Sequence, residues 1–270
     1  MTNWADDAEK QYSALAEYAA LRTDELGRML QPYIEATDRY GVLVCRVTLV
    51  LGTTPPLSKQ DAALRDLMAD VFDFLYEARF LIIKGKLEVA YPLARRAYES
   101  LSLMVASFQN PELAERWVKG KEISNAEVRK LLAKHPAGES EQMTRELYAF
   151  FSQATHPNRE TMADRLLGEG NEFVLGSVGR PSLAMLSDYA LKTLNLWFWF
   201  GAFIGFAYLP VLARADPDLL EMHAAAAKMA REVAPWLAEQ FNRTLAQEQA
   251  EMRGSVEQRQ NGGRDRGRGQ

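Results

Sequence analysis

Apolar residues recur every three or four positions from Asp7 to Met252, and that period constrains this chain more than any other feature. Residues so spaced share one helix face, and each such face has to be buried against a neighbour. From Ser58 to Lys84 the stripe is Leu64, Leu67, Met68, Val71, Leu75, Ala78 and Ile82. Ser58 reads as an N-cap with Asp61 behind it, and Lys84-Gly85-Lys86 as a stop. The next stripe, Leu87 to Phe108, carries Tyr91, Ala94, Tyr98, Leu101 and Val105, with Pro92 near its first turn. Asn110-Pro111 opens a short helix, and Ser124 opens another that stops at His135-Pro136. Gln142 to Thr155 reads as a further helix.

Upstream, Asp7 to Tyr40 reads as helix with a break near Pro32, and Gly41 to Leu51 as a short buried helix. Downstream, Ser182 to Ala213 and Pro217 to Met252 read as long helices, the second bent at Pro235. Apolar–polar alternation occurs only at Glu172–Val178, inside a glycine-rich connection (168–181) where a small hairpin could form. The expected fold is all-α, an antiparallel multi-helix bundle. Residues 1–57 are expected as N-terminal helices packing on the core, 58–250 as the bundle, and 251–270 as a disordered Arg/Gly-rich tail.

Composition then removes function classes. A net charge of −4 over 270 residues does not grip nucleic acid through the body as a whole. A single cysteine, Cys45, excludes an intrachain disulfide framework, and amid aliphatics its thiol is expected to be inert. No Glu-x-x-His, P-loop or Gly-x-Ser-x-Gly motif occurs, and no metal or cofactor is implied. The acidic start lacks a secretory or transit pattern, so a cytoplasmic location is expected.

Four places could carry function. Thr193–Ala213 has no charge and contains Gly201-x-x-x-Gly205; it reads as the central helix of a bundle or as a membrane span. Arg95, Glu99 and Ser102 form a polar rim beside the apolar face of their helix, with Arg96 turned away. The rim is an intrahelical ion pair or an anion-binding, acid–base edge. His156, before Pro157 and Asn158, either complements a helix C-terminus or meets a ligand. His223 falls on an apolar stripe with Leu219, Ala230 and Leu237 and reads as a core histidine. If the Leu87 and Gln142 helices pack together, Arg95 and Glu99 would approach His156 and Asn158.

Four segments carry a family likeness: Leu93-Ala-Arg-Arg-Ala-Tyr-Glu99, Asn110-Pro-Glu-Leu-Ala-Glu-Arg-Trp117, Ala126-Glu-Val-Arg-Lys-Leu131 and Leu147-Tyr-Ala-Phe-Phe-Ser-Gln-Ala-Thr-His-Pro-Asn158. In this order they resemble a family of uncharacterised, mostly bacterial helical proteins related to the HEPN superfamily. The resemblance implies a helical bundle, homodimerisation, and a setting of toxins, stress or phage defence with RNA or nucleotide binding. Active HEPN ribonucleases carry an arginine, four to six residues, then a histidine; Arg129 and His135 fit that spacing.

The expected function is therefore an HEPN-like protein acting by binding or dimerisation. A metal-independent ribonuclease and a membrane-anchored helical protein (through 193–213) are the alternatives. The candidate catalytic residues are His156, Arg95 and Glu99. The candidate binding residues are Asn158, Arg96 and Tyr148.

Overall fold

A computed structural model describes residues 4–53, 55–134, 142, 145, 146, 148, 149 and 183–265. Every regular element among them is helical. In chain order they are α1 (Trp4–Met29), α2 (Gln31–Gly52), α3 (Lys59–Ile83), α4 (Leu87–Gln109), α5 (Pro111–Val118) and α6 (Asn125–Ala133). After these come α7 (Leu183–Ala207), α8 (Leu209–Leu212) and α9 (Asp218–Asp265). The all-α bundle expected from the period is the fold observed.

The helix starts form where capping chemistry dictates. Ser58 accepts the Asp61 N–H, Asn110 accepts those of Glu112 and Leu113, and Ser124 accepts that of Glu127. Each satisfies N–H groups that have no partner inside the helix. The stop after α3 closes through Gly85 at φ 68, a left-handed conformation that glycine adopts without a side-chain clash.

Side-chain pairs give the helix directions. Gln60 at the start of α3 donates to the Ser107 and Phe108 carbonyls at the end of α4, so these two helices form an antiparallel hairpin. Arg65 reaches the Leu51 carbonyl while Arg79 reaches Thr37, so α2 and α3 are antiparallel. Tyr33 meets Thr193, and Tyr40 meets Gly201, so α2 and α7 are parallel. α7 is the axis of the bundle, contacting α2, α3, α4 and α9. Trp197 on it stacks with Tyr40 and meets Phe72 edge-on, and Phe200, Ile204 and Met104 are buried in the same continuous core.

The Gly201-x-x-x-Gly205 spacing serves this packing. A Cβ at Gly201 would stand 2.3 Å from Tyr40 Cε1, and one at Gly205 would stand 2.6 Å from His223 Nε2. The two glycines are seats for rings from α2 and α9. His223 is half-buried, and its Nε2 lies 3.0 Å from the Gly201 carbonyl, as a ring packed on that helix would. α7 is long and apolar enough to cross a membrane, with mean hydropathy 1.2, yet half of that stretch is buried by other helices.

Several boundaries differ from expectation. Gly41 does not begin a new helix; α2 runs unbroken from Gln31 to Gly52, because a helical glycine costs only about 1 kcal/mol against alanine. Cys45 is exposed on the outer face of α2, between exposed Val42 and Leu49, and not among core aliphatics. The helix faced its apolar neighbours outward there because Tyr40, Leu43, Val44 and Val47 already fill the inner face. The long helix beginning at Ser182 is divided at Tyr208, two residues before Pro210. α9 continues through Pro235 and reaches Asp265, past Met252 and into the stretch read as a tail. The glycine-rich connection at 168–181 and its hairpin lie outside the described residues.

Candidate functional site

The rim lies on α4. Arg95 and Glu99 lie one turn apart, and Nε of the arginine donates to the carboxylate at 3.0 Å. Their side chains keep only 22% and 15% of their exposure, so the pair is half-sheltered by its neighbours. A pair in that setting is screened less by salt than one standing in water.

Tyr148 comes to this rim. Arg95 Nη2 donates to its hydroxyl, and the guanidinium carbon lies 4.7 Å from the ring centroid. Arg129 of α6 converges on the same ring, also at 4.7 Å. An aromatic face is electron-rich and attracts a guanidinium, which stacks on it as a flat group. Among the described residues, Nη1 of Arg129 is buried without a hydrogen-bond partner. A buried charged donor left unsatisfied costs more than the roughly 1–3 kcal/mol of a neutral one. Among the described residues, two guanidinium groups and the Glu99 carboxylate thus meet at one phenol ring.

α6 is held in place for this by a second contact. Arg116 of α5 grips Glu127, with Nη2 at 3.1 Å from Oε2. The guanidinium holds the Glu127 carboxyl below its usual range. Val128, the next residue, is buried in the core, which fixes the rotation of α6 and turns Arg129 toward Tyr148.

One turn before Arg95, the same face of α4 packs on α7. The Tyr91 and Tyr189 ring centroids are 3.7 Å apart. Burial pushes the Tyr91 phenol well above its ordinary pKa, with the neighbouring Asp188 charge acting in the same direction. Lys192 pairs with Asp188 one turn along, and burial lowers its pKa. The rim therefore continues into a partly buried polar seam between α4 and α7.

Of the candidate site residues, Arg95, Glu99 and Tyr148 stand together. Arg96 does not: it leans the other way, 3.5 Å from Asp70 of α3 and over the Phe74 ring. At 100° per residue the position after Arg95 cannot share its edge, and Arg96 stands apart from the Tyr148 cluster. His156, Asn158 and His135 lie outside the described residues. Arg129 entered the sequence reading only through its spacing to His135; its place beside Tyr148 is a tertiary fact with no local signal. Among the described residues, no cluster of histidine, cysteine and carboxylate side chains could hold a metal ion. Compared with protein-family models, with curated proteins and with solved structures, this chain has no match.

Proposed function

We propose that this chain is an HEPN-like helical protein that acts by binding, and that Arg95, Arg129 and Tyr148 receive a phosphate-bearing ligand, RNA or a nucleotide. The observation that carries this reading is the convergence of two guanidinium groups on one tyrosine ring, with the Glu99 carboxylate paired to one of them. Guanidinium forks match phosphate oxygens, and the aromatic face offers a surface on which a base can stack. The buried, unpartnered Nη1 of Arg129 gains an acceptor when an anion arrives. Dimerisation and a bacterial defence setting belong to the same reading and rest on the family resemblance alone.

Fluorescence anisotropy with a labelled single-stranded RNA and with a labelled adenine nucleotide tests it. Binding should weaken about tenfold or more in Arg129→Ala and Arg95→Ala, and should fall with added salt. No binding, or binding unchanged in both variants, overturns the reading. Cleavage of the RNA by the parent protein, lost in His135→Ala or His156→Ala, would put the ribonuclease in its place.

A further inference from the structure

A second basic site lies at the elbow where α1 meets α2. The turn between α3 and α4 rises beside that elbow, and together they enclose an open cavity of about 740 Å³. Ala20, Gly27 and Ile34 supply apolar wall, and Arg28, Lys84 and Lys86 bring positive charge, against Asp24 as the one carboxylate among the described lining residues. The cavity is thus cationic on a protein whose total charge is −4.

The two lysines are not needed to finish the fold. Cations near a helix C-terminus commonly serve its last carbonyls, but here the backbone does that. The N–H groups of Lys84, Gly85 and Lys86 donate to the carbonyls of Phe80, Ile82 and Leu81 at 3.1, 2.9 and 2.8 Å. Among the described residues, neither ammonium group takes part in an ion pair. Arg28 is held by long, exposed contacts to Asp24, its Nη2 3.5 Å from the carboxylate and its Nε 3.4 Å from the carbonyl, with both side chains more than three-quarters exposed. An exposed pair of that length contributes little, so the guanidinium can turn to a better partner.

We infer that this cavity binds a small organic dianion, its charged end on Arg28, Lys84 and Lys86 and its carbon body along Ala20 and Ile34. Phosphate monoesters and dicarboxylates share this chemistry. The site has no lining residue in common with the Arg95–Arg129–Tyr148 cluster and does not rest on the function proposed for it.

The test is a titration of the isotopically labelled full chain, followed through the amide signals of Gly27 and Gly85. Phenyl phosphate and phthalate are the two dianionic probes, and benzyl alcohol is the neutral control. Saturable shifts at both glycines with either dianion support the site, and the tighter of the two names the head group. Lys84→Gln combined with Lys86→Gln should weaken binding about tenfold, and Arg129→Ala should leave these shifts as they are. If the double variant fails to fold, added salt makes the same test on the parent chain, where binding should fade. Absent shifts, equal shifts with benzyl alcohol, undiminished binding in the double variant or salt-independent binding would each overturn the inference.

Discussion

The seam of α7 against α2 and α9 and the cluster around Tyr148 each bring a tyrosine from one helix to a residue of another, but different forces place it. At Gly201 the Tyr40 ring sits where a Cβ would stand, so shape decides the contact. At Tyr148 two guanidinium groups stand over the ring, so charge decides it. Shape complementarity in a dense core admits one arrangement and is lost as a unit when a methyl group is added. A contact between guanidinium groups and a ring is not a fit of shapes in the same sense, and on the reading proposed above an anion can join it. The first kind of contact specifies a fold, and the second kind leaves something for a ligand to do.

The sharpest way to break the seam is Gly201→Val. A side chain there must displace Tyr40 and separate α2 from α7, costing about 3 kcal/mol or more. Thermal unfolding should fall by roughly 10 °C or leave no folded protein. Unfolding at the parent temperature would show that the ring is not seated as described.

The seam should also fail in alkali. Tyr33 is fully buried against Thr193, and burial raises its phenol from the ordinary 10 to about 12. The folded state holds the neutral form, so its stabilising effect is whole below pH 10 and is lost as pH rises from 10 to 12. Tyr40 and Tyr208 are raised in the same direction, chiefly by burial. A denaturant midpoint that stays flat to about pH 10 and then drops checks this; a midpoint indifferent to pH 12 refutes it.

At the charged cluster the expectation reverses. Arg129→Ala removes a half-buried cation whose Nη1 has no partner, so its melting should change by about 1 kcal/mol or less in either direction. Ligand binding should weaken far more. A large loss of stability would make the cluster structural, like the seam.

The smallest effect is a control for the first. Gly41, in the interior of α2, has nothing within 4 Å of where a Cβ would be. Gly41→Ala should stabilise the chain by about 0.5–1 kcal/mol through helix propensity alone. Glycine-to-alanine is thus expected to have opposite signs at Gly41 and Gly201, and equal signs would erase the distinction drawn between them.

The helices were legible because period and capping are local. Ser58, Asn110 and Ser124 announce their helix starts within four residues, and the stripe from Leu64 to Ile82 needs only the 3.6-residue turn to be read. The rim of Arg95 and Glu99 was legible for the same reason, being one turn apart on one helix. Cys45, exposed on α2 where its aliphatic neighbours suggested burial, and Arg129, brought to Tyr148, mark where local reading failed. Whether a side chain beside the apolar stripe meets a partner or solvent depends on which helix lies next to it, and no spacing records that.

The sequence by itself determined that the chain is helical, where most helices begin, and that α7 is too apolar to lie on the surface, since each of these follows from backbone hydrogen bonding and side-chain periodicity. The tertiary structure alone decided that α2 and α7 run parallel, that Gly201 and Gly205 receive Tyr40 and His223, and that Arg129 joins Arg95 at Tyr148. Those pairings join residues far apart in the chain, and the close packing of specific side chains selects them from the many helix arrangements that the same apolar stripes would allow.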